Sequence, residues 1–165
     1  MDVVIISDAH IPSRASEIPD RATEFLQEAD HVLCAGDFDS TEGYTQFVDL
    51  APQMTAVAGN TDPRTLDLPD VATVTLGGVT FVVTHGDGLA RYAMGLADLA
   101  EREAPEADRL VAVAGHTHEV LDERVESVRI LNPGSVTGAR PARRATLYRA
   151  SVADGDLSVD LVECD

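Results

Sequence analysis

Short apolar runs broken by polar turns dominate the chain, and five of them end on residue types that bind metals. Val3–Ser7 runs into Asp8 and His10, His31–Gly36 into Asp37, Met54–Gly59 into Asn60, Thr80–Thr84 into His85, and Leu110–Gly115 into His116 and His118. Continuous apolar runs of this length, bounded by turn residues, predict strands buried on both faces. Between the first three, apolar positions recur at helical spacing. One set is Ile18, Ala22, Phe25, Leu26 and Ala29, with Pro19 tolerated in the first turn. The other is Tyr44, Phe47, Val48 and Ala51, capped by Ser40 or Thr41 and stopped by Pro52. Strands alternating with helices over residues 3–58 predict a parallel core.

The second half has a different rhythm. Val71–Leu76 and Val79–Thr84 are joined by Gly77–Gly78, a two-residue hairpin signal that brings in antiparallel pairing. A helix with Leu89, Ala93, Leu96 and Ala100 on one face ends before Pro105, and the Leu110–Gly115 strand follows. The segments Val120–Leu131, Arg144–Ser151 and Leu157–Val162 alternate apolar and polar residues, with a turn at Asp154–Gly155, as half-buried antiparallel strands do. The expected fold is α/β: a two-sheet β-sandwich flanked by helices, α-β-β-α, in a single domain spanning residues 1–165. No repeat, linker or low-complexity segment interrupts it.

Composition narrows the function. A chain of 165 residues buries roughly 70% of its unfolded surface, so it needs neither disulfide nor structural metal, and a metal here would serve chemistry first. Cys34 and Cys164 form neither a disulfide framework nor a zinc knuckle, and Cys34 reads as a small buried hydrophobe. No apolar stretch approaches the ~20 residues of a membrane span, and no charged segment with a cleavage site opens the chain, so a cytoplasmic protein without membrane contact is expected.

Charge is the outlying feature: 29 acidic residues face 12 arginines and no lysine, for a net charge of −17. At ~1 M salt the Debye length falls to about 3 Å and such self-repulsion is screened, so the balance reads as adaptation to the salt-rich cytoplasm of a halophile. Long nucleic acids, which require clustered cations, are disfavoured as partners. A small phosphate ester stays compatible, because divalent cations would invert the local charge. Absence of lysine excludes a Walker A phosphate loop. A homo-oligomer is left open.

Asp8 and His10 lie two residues apart in an extended segment, as do His116 and His118, so each pair points to one side. Strand C-termini that share a direction gather at one rim, where α/β proteins bind ligands. Seven oxygen and nitrogen donors there, Asp8, His10, Asp37, Asn60, His85, His116 and His118, describe a site for two divalent ions. Mixed carboxylate and imidazole donors suit Mn²⁺, the expected ion, or Fe²⁺, Co²⁺, Ni²⁺ and Zn²⁺. Gly36, Gly59 and Gly115 directly precede ligands, where a missing Cβ permits close approach of backbone and metal. His31 opens a strand and reads as a partly exposed polar residue outside the site.

In order, Asp8-Ala9-His10, Gly36-Asp37, Gly59-Asn60-Thr61-Asp62, His85-Gly86 and Gly115-His116-Thr117-His118 resemble the five blocks of the calcineurin-like metallophosphoesterases. The early first strand and Asn132-Pro133-Gly134-Ser135 after the last block look like the small archaeal and bacterial phosphodiesterase branch. The resemblance implies that Asp8, His10, Asp37 and His118 hold one ion and Asn60, His85 and His116 the second, with Asp37 bridging. It further implies hydrolysis of a phosphodiester by water activated between the two ions, with Asp37 and Asn60 as catalytic residues. Phosphomonoesterase or nucleotide pyrophosphatase activity is the alternative.

Larger relatives carry a histidine after the asparagine of the third block and use it near the leaving oxygen; here that position is Thr61. Without this acid, esters with good leaving groups are favoured. Asp62, which that histidine would pair with, is left either to orient a neighbour or to stabilise its turn. Small members often carry a second histidine after His85-Gly86, where this chain has Asp87. Arg140 is the candidate substrate contact, with Arg143 and Arg144 behind it. A non-enzymatic reading also exists, because the small retromer subunit uses a similar fold as a scaffold; a scaffold can lose ligands, and this chain keeps all seven.

Overall fold

A computed structural model describes residues 1–165, all of them. Its ten strands form two five-stranded mixed sheets. In the first sheet β1 (Asp2–Ile6), β2 (His31–Cys34) and β3 (Met54–Ala56) run parallel, while β9 (Thr146–Ala153) and β10 (Asp156–Glu163) extend it antiparallel on the β1 side. In the second, β5 (Val79–Thr84), β6 (Leu110–Val113) and β8 (Val128–Pro133) are parallel, with β4 (Val71–Leu76) and β7 (Val120–Val125) antiparallel at the edges. Three parallel strands, at one side of the first sheet and in the middle of the second, extend the expected parallel core to both halves of the molecule.

The layering follows from strand periodicity. Along β1, Val3 and Ile5 face the second sheet, where they meet Phe81, Val83, Val113 and Leu131. Val4 and Ile6 face outward against Leu26 of α1 (Asp20–Glu28) and Phe47 of α2 (Thr41–Leu50). On the far side, Val82, Ala112 and Ile130 pack under Leu96 and Ala100 of α3 (Tyr92–Glu103). Both faces of the central strands are therefore apolar, which accounts for their unbroken hydrophobic runs. The α-β-β-α expectation holds.

Local signals resolve as physics requires. Ser40, not Thr41, caps α2: its Oγ accepts from the Gly43 N–H at 2.9 Å. Three expectations are corrected. Val120–Leu131 is not one strand but the hairpin β7–β8, reversed through Glu126, whose φ of 53° lies in the left-handed region. Leu89 precedes α3 instead of lying on it, in the exposed Gly88–Arg91 loop. His31 is buried, not partly exposed; its Nε2 bonds Thr55 Oγ1 at 2.8 Å across β2 and β3. Burial lowers its pKa, and it stands apart from the ligand cluster. Cys34 is buried, as expected.

Candidate metal centre

All seven sequence-predicted ligands follow the C-terminal ends of parallel strands: Asp8 and His10 after β1, Asp37 after β2, Asn60 after β3, His85 after β5, His116 and His118 after β6. Each strand hands over to a sharply turning loop, not to the extended segment expected around Asp8 and His10 and around His116 and His118. Asp8, His10, Asp37, His116 and His118 have φ of 54°, 47°, 62°, 72° and 60°, left-handed backbone that Asp, Asn and His enter more readily than other side-chain-bearing residues. Strained backbone of this kind concentrates at functional sites.

The loops converge on a buried cluster. Asp37 Oδ2 lies 3.4 Å from His10 Nε2 and 3.1 Å from His85 Nε2. Asp8 Oδ1 lies 3.7 Å from His10 Nε2 and 3.4 Å from His118 Nε2, and the last two nitrogens are 3.2 Å apart. Two sets could each hold an ion, Asp8–His10–His118 and Asp8–Asp37–His85. Asn60 and His116 sit at the exposed mouth, where His116 Nδ1 donates to Asn60 Oδ1 at 3.1 Å.

The three buried imidazoles share one device. Nδ1 of His10 donates to Asp39 Oδ1 at 2.7 Å, that of His85 to the Ala35 carbonyl at 2.7 Å, and that of His118 to the Ala139 carbonyl at 2.8 Å. With a proton fixed on Nδ1, each Nε2 faces inward and is the atom left to bind a cation once the ring is neutral, the arrangement metal-binding histidines use. Asp39 escaped the sequence reading although Gly36-Asp37-Phe38-Asp39 places it two residues beyond a candidate ligand. It also accepts from Thr61 Oγ1 at 2.6 Å and from Ser13 Oγ. Burial pushes its carboxyl up, but hydrogen bonds from Ser13, Thr61 and His10 outweigh that and hold it below the usual range.

Asp62 has a structural task. Its carboxylate accepts backbone N–H groups from Asp37, Phe38 and Asp39 at 2.9, 2.7 and 3.0 Å, and from Gly59 at 2.8 Å, stapling the loop after β2 to the loop after β3. Of the two roles the sequence left open, this is turn stabilisation, extended across two loops. Burial raises its pKa against the pull of these donors. The glycines act similarly: a Cβ on Gly59 would overlap the Asp37 carboxylate, and one on Gly115 would overlap Ser7 Oγ and crowd Asp8 Oδ2. They admit the candidate carboxylates and the neighbouring strand end, so the close approach expected of a metal is made by protein atoms.

A second support is the end of β8 and the segment after it, which the sequence marked only as part of the resemblance. Asn132 Nδ2 donates to the Gly115 carbonyl, Thr117 Oγ1 and the Tyr92 hydroxyl, each within 3.0 Å, so it fixes the His116–His118 loop. Ser135 and Thr137 donate to the carbonyls of Asp8 and Ala9 at 2.7 Å. Arg140 is exposed one residue beyond Ala139, and its carbonyl accepts from Arg14 Nη1 at 2.8 Å. Asp87 is exposed between Gly86 and Gly88.

Electrostatics favour cations. Burial alone would push the Asp37 carboxyl up and the His85 imidazole down. Their closeness outweighs it, taking Asp37 down to about 2, with help from the Thr61 N–H, and His85 up to about 9. Asp8 Oδ1 and His85 Nε2 are buried without a hydrogen-bond partner; the latter is near Asp37 but out of line with it. Such orphaned groups are costly unless something completes them. Two carboxylates and three inward-facing Nε2 atoms, in two overlapping sets, fit divalent cations of the Mn²⁺–Zn²⁺ series.

The family model of the calcineurin-like phosphoesterase superfamily domain matches residues 1–155. A relative described as a probable metallophosphoesterase, from Methanothermobacter thermautotrophicus, is 32% identical over 141 residues, covering 85% of this chain and 80% of its own. The chain belongs to the calcineurin-like phosphoesterase superfamily. Among solved structures, a Thermotoga maritima protein is 27% identical with a TM-score of 0.74, covering 98% of each chain. Vps29 of Entamoeba histolytica (a D62A mutant) superposes over the whole of both chains with a TM-score of 0.80 at 24% identity, a likeness of fold. So does a structure described as a novel archaeal phosphodiesterase, with a TM-score of 0.71 at 20% identity, covering 98% of this chain and all of its own.

Proposed function

We propose that this protein is a metal-dependent phosphodiesterase acting on a small ester. The carrying observation is the place of Asp37 Oδ2, within 3.4 Å of His10 Nε2 on one side and 3.1 Å from His85 Nε2 on the other, where a single oxygen can serve two ions. In this reading Asp8, His10, Asp37 and His118 hold one ion, and Asn60, His85 and His116 the other, with Asp37 shared. Two divalent ions, Mn²⁺ expected, would polarise phosphoryl oxygens and lower the pKa of water.

The chain's own residues supply the rest. Asp8 and Asp37 are nearly dry, so their charges act at low dielectric on whatever cation they meet. Asn60 and His116, at the exposed mouth, are the ligands a substrate reaches first. Arg140, exposed beside Ala139, is the proposed partner of a phosphate oxygen. The Thr61 hydroxyl is committed to Asp39 Oδ1 at 2.6 Å, so it is no free acid for a leaving oxygen. That supports esters whose leaving group departs unassisted, and hence diesters over alkyl monoesters. The net charge of −17 supports a small ester over a long nucleic acid.

The test is hydrolysis of bis(4-nitrophenyl) phosphate beside 4-nitrophenyl phosphate, in high salt, after stripping metal and restoring Mn²⁺. Metal-restored turnover with the diester ahead is expected, and it should vanish in Asp37→Asn. Turnover retained by that variant, or a faster monoester, would overturn the reading.

A further inference from the structure

The row of side chains between the sheets continues past the point where the second sheet covers it. On β10, Leu157, Val159 and Leu161 share one face; the first two pack into the inter-sheet core, whereas Leu161, at the rim end, is 47% exposed. Val120 opens β7, the edge strand of the other sheet, and is 42% exposed. Both line an open cleft of about 270 Å³ together with His118, Arg143 and Thr146. Since β10 runs parallel to β1 through β9, and β7 runs against β8, Leu161 and Val120 both lie at the metal-centre end of the sandwich.

The cleft adjoins the site already described, because His118 belongs to both: its Nε2 lies 3.4 Å from Asp8 Oδ1. At the lip, Arg144 is paired with Glu163, while Arg143 is in no ion pair. The cleft therefore presents two aliphatic walls and one free guanidinium beside a metal ligand. Its volume lies just under the ~300–1,000 Å³ of pockets for drug-sized ligands, which suits a single ring system better than an extended chain.

Resting on the phosphodiesterase reading, we infer that this cleft seats the ester arm that stays bonded to phosphorus, a flat apolar group of aryl or nucleobase size. Leu161 and Val120 cover its faces, and Arg143 meets its polar edge. Only an arm retained on phosphorus anchors the phosphate throughout the reaction, so that its binding energy remains available in the transition state.

Three diesters sharing 4-nitrophenol as leaving group test this, with methyl, phenyl or thymidine 5′ as the other arm. The expected kcat/KM for the phenyl and thymidine esters is about tenfold above the methyl ester, equivalent to about 1.4 kcal/mol. Leu161→Ser and Arg143→Gln should each narrow that ratio to threefold or less, while Met94→Ser, on the exposed side of α3, should leave it intact. Thymidine ahead of phenyl assigns a nucleoside arm, and the reverse a plain aryl arm. Calorimetric binding of phenylphosphonate against methylphosphonate to Zn²⁺-loaded protein gives a readout independent of turnover. A tenfold margin for phenyl that Leu161→Ser removes, without turnover of any ester, would keep the cleft and sink the proposed reaction. Turnover with equal arms, or a preference surviving both cleft variants, would overturn the inference. So would a dimer abolished by Leu161→Ser with the arm ratio unmoved, which would make the cleft a contact between copies.

Discussion

Asp39 Oδ1 lies 2.7 Å from His10 Nδ1, behind the imidazole and away from the cluster that its Nε2 faces. One carboxylate thereby fixes the tautomer, the ring plane and the basicity of a candidate ligand that is itself nearly dry. Asp39→Ala should weaken metal binding by about 10–100-fold, the usual cost of losing such a partner. Titration of the stripped protein with Mn²⁺ or Zn²⁺ checks this; unchanged affinity would show that packing alone orients His10.

The metal-free protein should have a characteristic pH dependence. His85 is raised from 6.5 to about 9, so its contribution to stability is fully present below 6.5 and is lost as pH rises through about 9. Asp37 is lowered from 3.8 to about 2, so its contribution is present above 3.8 and is lost as pH falls through about 2. Scanning calorimetry of the stripped protein should show its melting temperature declining between pH 6.5 and 9. Metal binding requires a neutral His85, so loading at pH 7.5 should release protons into a weak buffer, and affinity should rise with pH up to about 9.

Asp62→Ala should cost about 3 kcal/mol in urea unfolding, because the backbone N–H groups of Asp37, Phe38, Asp39 and Gly59 lose their acceptor together. A loss below about 1 kcal/mol would mean that water or a shifted loop replaces the carboxylate.

Gly59→Ala should separate fold from site. The added methyl overlaps the Asp37 carboxylate, so metal binding should fall at least tenfold while far-ultraviolet circular dichroism stays unchanged. The strand ladder from β1 to β3 does not include residue 59.

A net charge of −17 predicts salt dependence. Raising KCl from 0.1 to 2 M should raise the melting temperature steeply below ~1 M, where screening changes most, and more gently above. A flat curve would show that the acidic surface carries no stability cost and would remove the argument for a salt-rich habitat.

Much of this was legible in the chain. Strands such as Val79–Thr84 show as apolar runs because both faces are covered, and the candidate ligands show because each run ends on one. The β7–β8 hairpin was hidden because its turn, Glu126–Ser127, contains no Gly, Pro, Asn or Asp, the stronger marks of a reversal, and Glu126 takes left-handed backbone all the same. The burial of His31 was hidden because Thr55, the acceptor or donor that makes it tolerable, lies on the neighbouring strand. Asp39, Tyr92 and the supporting contacts of Asn132 were passed over for a related reason. A ligand is recognisable by its own chemistry and place, whereas a residue that holds a ligand is recognisable only by whom it meets.

The left-handed backbone at Asp8, His10, Asp37, His116 and His118 restricts what could ever replace them. At such φ values a β-branched or bulky residue pays a steric cost that Asp, Asn and His largely escape. The loops thus favour short oxygen and imidazole donors before any ion is present, and a β-branched or bulky replacement at these five positions would require the loops themselves to be rebuilt.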